Sequence, residues 1–314
     1  HKGGTGKTIS AYHIGWKLTG NEKNVLLVDG DSQVNLTALA LGFDRFDSYY
    51  EDESTRLLNI KDAVAPVFEG KPAALQPFDC PTAENNSNLF ILPGHADLAE
   101  YEGQISLAQE TMGSLSVMKN LPGALHALVK MIEEGHKIDY TIIDLNPGLG
   151  AINQNFFMAS DFFIVPTNPD PFSLMAVGTL ATHLTRWNDW KQANRMKFDD
   201  ADYPLYNSIP IFLGGMVLQD RCYQEAFDLG ASDLAADNKG KYALARIPDF
   251  QALIHTSNIS NCPIFSLDET MLNADDIVGV VKDNAMKNID SFNTIYETIA
   301  SKIVFLTNDD CRKV

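Results

Sequence analysis

Eight residues at one end of the chain, His1-Lys2-Gly3-Gly4-Thr5-Gly6-Lys7-Thr8, gather glycines, lysines and a hydroxyl into one short stretch. Such residues can cradle phosphate. In the pattern G-x-x-x-x-G-K-[ST], successive backbone N–H groups point at phosphate oxygens, the lysine reaches the outer phosphates, and the hydroxyl ligates Mg²⁺. Gly6-Lys7-Thr8 supplies the second half of that pattern; its first glycine falls at position 1, where His1 stands, and Lys2 directly precedes Gly3-Gly4. Gly3, Gly4, Thr5, Gly6, Lys7 and Thr8 are therefore candidate phosphate contacts, with Thr8 a candidate metal ligand; a glycine-rich turn with nearby lysines is the bland competitor. Two apolar runs end in carboxylates, Val25-Leu26-Leu27-Val28 in Asp29-Gly30-Asp31 and Tyr140-Thr141-Ile142-Ile143 in Asp144. Ligands of open α/β sheets lie just beyond the carboxyl ends of the strands. Asp29 and Asp31 are thereby brought to the phosphates, and Asp144, opposite Thr8, is placed to hold Mg²⁺ through water. Turn-forming aspartates are the alternative for the first pair.

These groups need elements to hold them. Ala11, Ile14, Gly15 and Leu18 recur at helical spacing, so a helix follows the loop and aims its positive end at the phosphates, with Gly20-Asn21 ending it. Short apolar runs at 25–28, 88–92, 140–143 and 162–165 read as parallel strands buried on both faces. A further strand is expected across Ile209–Leu213 and Met216–Leu218. Helices are expected around Leu98 and Glu102, from about Leu121 to Glu134 with Gly135 closing it, and from Ser173. Strands alternating with helices give one α/β domain over 1–314, three layers with a mostly parallel sheet flanked by helices. Residues 44–81, with only a brief helical pattern near Leu57 to Val64, read as a variable, partner-facing insertion, and 186–208 as a possible second one. A phosphate loop normally joins a strand to a helix. With neither a starting Met nor a strand ahead of the loop, the expectation is a chain trimmed at its N-terminus, its first, central strand lying upstream.

The K-G-G-x-G-K-T pattern resembles the deviant Walker A loop of the ParA/MinD-type partition and positioning ATPases. The resemblance implies a P-loop NTPase fold, ATP and Mg²⁺ as ligands, and slow hydrolysis in an ATP-sandwiched homodimer that a partner protein stimulates. It implies that Lys2 reaches across the dimer to the partner's nucleotide. Asp29-Gly30-Asp31-Ser32-Gln33 resembles the family's D-x-D-P-Q segment with Ser32 replacing proline. By that match Asp31 orients the attacking water and assists metal hydration, and Asp29 lies near the metal's outer sphere. Asp144 matches the Walker B carboxylate, and Leu145-Asn146-Pro147-Gly148-Leu149-Gly150 resembles the switch loop D-x-P-P-S-L-G. Pro166-Thr167-Asn168-Pro169-Asp170 resembles a segment bordering the nucleotide and dimer face, and Gln219 is a candidate adenine contact. Cargo could be DNA, a plasmid or another cellular complex; an ATP-binding module that recruits a partner with negligible hydrolysis is the alternative.

Composition narrows these options. Lys and Arg number 24 against 41 Asp and Glu, a net charge of −17 that disfavours non-specific DNA binding. Cys80, Cys222, Cys262 and Cys311 form no C-x-x-C pair, so neither zinc nor an iron–sulfur cluster is indicated, nor a reductase resembling the nitrogenase iron protein. No run approaches the ~20 apolar residues a membrane span needs, and no signal peptide is evident, so a cytoplasmic protein is expected. Arg186, Lys191, Arg195 and Lys197 interleave with Trp187, Trp190 and Phe198. That stretch reads either as a nucleic-acid or partner contact or, preferably, as a helix with a solvated charged face and buried tryptophans. The stripe Ile289, Phe292, Ile295, Ile299, Ile303 reads as core packing or a dimer seam.

Overall fold

The computed structural model describes residues 6–111, 114–168, 171–218, 243–247, 251–275 and 277–308, and strands and helices alternate through them. Helix α1 (Lys7–Leu18) leads to strand β1 (Val25–Gly30), and helices α2 (Asn35–Leu41), α3 (Phe43–Glu51) and α4 (Ile60–Phe68) follow. Strands β2 (Thr82–Ala83) and β3 (Asn86–Leu92) precede α5 (Glu102–Glu110) and α6 (Leu121–His136). Next come β4 (Tyr140–Leu145), α7 (Ala151–Met158), β5 (Phe162–Thr167) and α8 (Pro171–Asn194). Strands β6 (Ile211–Leu218) and β7 (Ala243–Ile247) and helices α9 (Gln251–Ile259), α10 (Glu269–Ala274) and α11 (Gly279–Thr307) complete the order.

Among the described residues the strands form two sheets, ordered β2-β3-β1-β4 and β5-β6-β7. All pairings are parallel except the short β2–β3 one. Every residue of β1 is buried, which is why its sequence is a continuous apolar run rather than an alternating one. Its alternate side chains feed two cores. Leu27, with Val25, meets α1 and α11 in one cluster that includes Ile289, Phe292, Ile299 and Ile303. Leu26 and Val28 meet α4, α6 and α7 in the other. The result is a three-layer α/β arrangement of helices on both faces of mostly parallel strands. No helix among the described residues is long and apolar enough to cross a membrane.

Several expectations are corrected in detail. Helix α6 does not close at Gly135 but runs to His136, and Lys137 takes the left-handed turn at φ 54° with its N–H on the Glu133 carbonyl. Within 44–81, α3 buries nothing, whereas α4 buries Ile60, Val64 and Phe68 against α6, so half of this stretch belongs to the core. Asn59 caps α4, its side chain accepting the Asp62 N–H at 3.0 Å. Ile211–Leu218 is one continuous strand. In the basic-aromatic stretch Trp187 is buried and Trp190 half-buried, Phe198 is buried, and Lys191 is buried too, its Nζ donating to the Met158 and Ser208 carbonyls. That ammonium ties α8 to the start of the second sheet instead of facing solvent.

The helix that leaves the phosphate loop is locked by a histidine. His13 is fully buried, and its Nε2 accepts the Ile264 N–H at 3.0 Å. Its Nδ1 must then carry the proton, donated to the Ile9 carbonyl at 2.7 Å. Phe265, Phe292 and Tyr296 surround the ring, with centroids 5.5, 4.9 and 5.2 Å away. Burial pushes its pKa down to about 4, so the native fold holds it neutral over a range where the unfolded chain is protonated. The stability it contributes is therefore full above about pH 6.5 and declines as the pH falls towards 4, by on the order of 3 kcal/mol. His13→Leu, which leaves the Ile264 amide without its acceptor, should lower unfolding free energy at neutral pH by about 1–3 kcal/mol. In urea titrations the gap between wild type and variant should shrink as the pH is lowered from about 6.5 to about 4.

Candidate phosphate and metal site

Gly6 begins the site. It adopts a left-handed conformation, φ 62° and ψ 27°, directly before α1, a geometry that glycine takes without steric cost. The first N–H groups of α1 have no partner within the helix and carry its positive dipole end. From the first turn, Thr8 Oγ1 donates to Asp144 Oδ2 at 2.6 Å. Asp144 stands in register with Asp29 across β1 and β4, so two carboxylates leave adjacent strands at the same level.

Their surroundings differ. Asp29 is completely buried and accepts from the Thr37 N–H at 2.8 Å, the Thr37 hydroxyl at 2.7 Å and the Asp31 N–H at 3.3 Å. Thr37 Oγ1 in turn accepts the Gly94 N–H at 3.0 Å. Asp29 thus ties β1 to α2 and to the end of β3, and a Cβ at Gly94 would sit 3.0 Å from its Cγ. A Cβ at Gly30 would lie 2.9 Å from the Asp144 carbonyl oxygen, so this close strand approach requires glycine. Asp31, also buried, accepts the Gln33 N–H at 3.0 Å.

Electrostatics follow from burial. Desolvation raises Asp144 to about 7; the Thr8 hydrogen bond opposes that shift, while the neighbouring Asp29 adds to it. Burial likewise raises Asp29 to about 6, against the pull of the Thr37 and Asp31 donors. Lys7 is lowered by its own desolvation, and the charges of Asp144 and Asp31 counteract this. One lysine thus faces two aspartates in a dry corner. Among the described residues no cluster of three or more His, Cys, Asp or Glu side chains forms a metal cage. A hydroxyl with one or two carboxylates is nonetheless the donor set by which Mg²⁺ is held when phosphates and water complete its shell. Thr8 and Asp144 fit that ion; of the Asp29 oxygens, Oδ2 is taken by Thr37 of α2 and Oδ1 accepts the Asp31 N–H.

Of the residues expected from sequence, Gly6, Lys7, Thr8, Asp29, Asp31 and Asp144 come together. Lys2, Gly3, Gly4, Thr5 and Gln219 lie outside the described residues. Three contributors were missed. Thr37 is the first. Asn153 is the second, its Nδ2 lying 3.0 Å from the Asn146 carbonyl, 2.9 Å from Asn146 Oδ1 and 3.0 Å from the Gly148 carbonyl, which pins the loop after β4. Glu102 is the third, receiving the Ala151 and Ile152 N–H groups at the start of α7. An acid at a helix start is a recognisable pairing, but here it comes from another helix, beyond the reach of local pattern.

A family model described as an AAA domain matches residues 1–196, more than half of the chain. The chain belongs to the ParA/MinD-type P-loop ATPases. It is 32% identical over 178 residues to the virulence plasmid ParA family protein of Chlamydia psittaci, covering 56% of this chain and 57% of that one. It is 29% identical over 185 residues to the chromosome partitioning protein ParA of Caulobacter vibrioides, covering 59% and 60%. The matched region thus spans less than two thirds of these curated relatives. A crystal structure of a putative plasmid partition protein from Borrelia burgdorferi, bound to AMPPNP, has a TM-score of 0.59 at 17% identity and covers 97% of this chain and 95% of its own. That likeness is one of fold.

In this ParA-type site a carboxyl held near pH 7 must lose its proton when a divalent ion binds. Magnesium with adenine nucleotide should therefore bind more tightly as the pH rises from about 6 to about 8, with proton release falling from close to one per ion at about pH 6 to little at about pH 8. Calorimetry in two buffers of different ionisation heat measures that release, and Asp144→Asn should remove most of it.

Proposed function

We propose that the chain is an Mg²⁺-dependent ATPase that works as an ATP-driven dimerisation switch, in DNA or plasmid partition or in the positioning of a cellular complex. The observation that carries this reading is the Thr8–Asp144 hydrogen bond at the carboxyl edge of the sheet, with Lys7 and Asp31 beside it. Family membership supports the same reading.

The roles follow from chemistry. Backbone N–H groups of Gly3 to Gly6 and the start of α1 bind phosphate oxygens, and Lys7 pairs with the outer phosphates. Thr8 and Asp144 would hold Mg²⁺, which when bound neutralises charge on the phosphates during transfer. Asp31 orients the attacking water, its carboxylate steadied by the Gln33 N–H. Lys2 reaches the nucleotide of a second copy. Asn153 keeps the loop at Asn146–Gly148 in one arrangement, and a partner protein that shifts this loop would change turnover.

DNA as a direct ligand is disfavoured. The net charge is −17, and the basic-aromatic stretch loses Lys191 to the interior, while Asp200 beside it pairs with Lys119 at 2.6 Å. Salt-titrated binding with ATP present should show at most weak, steeply salt-dependent retention of DNA.

Phosphate release tests the hydrolytic reading. Lys7→Ala should lower it at least tenfold, and equal rates in both proteins would leave an ATP-binding module that recruits a partner without turnover. Gel filtration tests the switch: wild type should elute as a dimer with ATP and Mg²⁺ and as a monomer with ADP. Asp31→Ala, slowed in hydrolysis, should stay dimeric with ATP; a monomeric Asp31→Ala would sink the switch.

A further inference from the structure

Helix α3 lies one short helix beyond the loop that carries Asp31, yet it buries no residue fully. Two phenolic hydroxyls hold it to the body of the molecule. Tyr49 Oη donates to the Leu58 carbonyl at 2.8 Å, nine positions along the chain. Tyr50 Oη donates to the Gly94 carbonyl at 2.6 Å, 44 positions away at the end of β3. The first bond is local; the second reaches the strand end beside the buried carboxylates.

Gly94 is where β3 meets Asp29. A Cβ there would lie 3.0 Å from the Asp29 Cγ and 3.1 Å from its carbonyl oxygen, so this residue rests directly against the aspartate. Both of its backbone polar groups are taken, the N–H by Thr37 Oγ1 at 3.0 Å and the carbonyl by Tyr50. The preceding carbonyl, of Pro93, accepts the Ile60 N–H at 2.9 Å. Thr37 passes the contact on: its hydroxyl and N–H donate to Asp29 Oδ2, and Asp29 Oδ1 accepts the Asp31 N–H at 3.3 Å. Tyr50 thus stands at one end of a chain of hydrogen bonds whose other end is the backbone of Asp31.

The phenol is a steady donor. Tyr50 is half-buried, and desolvation raises its pKa, with the Asp29 charge adding to the rise and the Thr37 hydroxyl opposing it. It therefore keeps its proton throughout the neutral range. We infer that Tyr50 is a positioning residue: its hydrogen bond to the Gly94 carbonyl holds the end of β3 against Asp29, and through Thr37 and Asp29 it sets the backbone from which Asp31 orients water. The role of Asp31 towards water rests on the ATPase reading above; the mechanical link does not. A misplacement of about 1 Å in a group that aligns reactants can cost on the order of a hundredfold in rate, so a hydroxyl that touches neither nucleotide nor water can still govern turnover.

Tyr50→Phe removes one oxygen and keeps the ring, and Tyr49→Phe is its control on the same helix. Amide hydrogen exchange without nucleotide should speed up about tenfold at Asp31, Gln33 and Gly94 in Tyr50→Phe, with Tyr49→Phe like wild type and β1 slow in all three proteins. In steady-state kinetics with Mg²⁺ and ATP, Tyr50→Phe should lower kcat about fivefold to tenfold and leave KM within about twofold, because Lys7 and Thr8 are untouched. In the Asp31→Ala background the same substitution should change kcat by less than about twofold, since its effect runs through Asp31. The inference is overturned by unchanged exchange at Asp31 and Gln33, by equal effects of the two phenylalanine variants, or by full additivity with Asp31→Ala. Faster exchange with a wild-type kcat also overturns it. If wild type releases phosphate no faster than Lys7→Ala, the hydrolytic reading fails, and exchange alone decides whether Tyr50 positions Asp31.

Discussion

The hydrogen bond from Thr8 to Asp144 joins the first turn of α1 to the end of β4, and much of the molecule is arranged so that it can form. Register between β1 and β4 brings Asp29 level with Asp144, so fixing one strand end fixes both carboxylates. Glycines at 30 and 94 allow that crowding, because a side chain at either would collide with an aspartate or its backbone. Positioning of this kind is what phosphate chemistry asks of a protein, since the reaction needs aligned charges more than covalent partners.

Holding α1 in place falls to the far side of the helix. His13 accepts one backbone N–H from the segment before α10 and gives its own proton to the helix backbone, while aromatic rings from α11 close around it. The last long helix is therefore not an appendage. Its stripe Ile289, Phe292, Ile299 and Ile303 packs on the helix that carries Lys7 and Thr8, so any movement of α11 reaches the phosphate site through one rigid element.

What could be read from the sequence divides along the range of the interaction. Continuous apolar runs located β1, β4 and β5, and carboxylates at strand ends located Asp29, Asp31 and Asp144, because both signals lie within a few neighbouring residues. The helical stripe ending in Ile303 was likewise local and is core. Features missed depend on pairs far apart in the chain. Glu102 meets Ala151 across 49 positions, and Thr37 meets Gly94 across 57. Lys191 looked like a solvated charge by its neighbours, yet two carbonyls from separate segments draw it inside. Residue type favours Gly135 as the end of α6, yet the left-handed turn falls at Lys137.

Burying several ionisable groups in one corner has a cost that only a ligand removes. Asp144 is pushed up by desolvation and by Asp29, Asp29 is pushed up by desolvation and by Asp31, and Lys7 is pushed down by its own desolvation. With carboxyls drawn towards their neutral forms near neutral pH, this corner carries less negative charge than its composition suggests. A divalent ion would reverse that balance by favouring the ionised carboxylate, and phosphates would add negative charge beside Lys7. Because these ligands favour only the native arrangement, their binding energy adds to the stability of the fold. Occupancy of the phosphate site and the firmness of α1 are thus two expressions of one equilibrium.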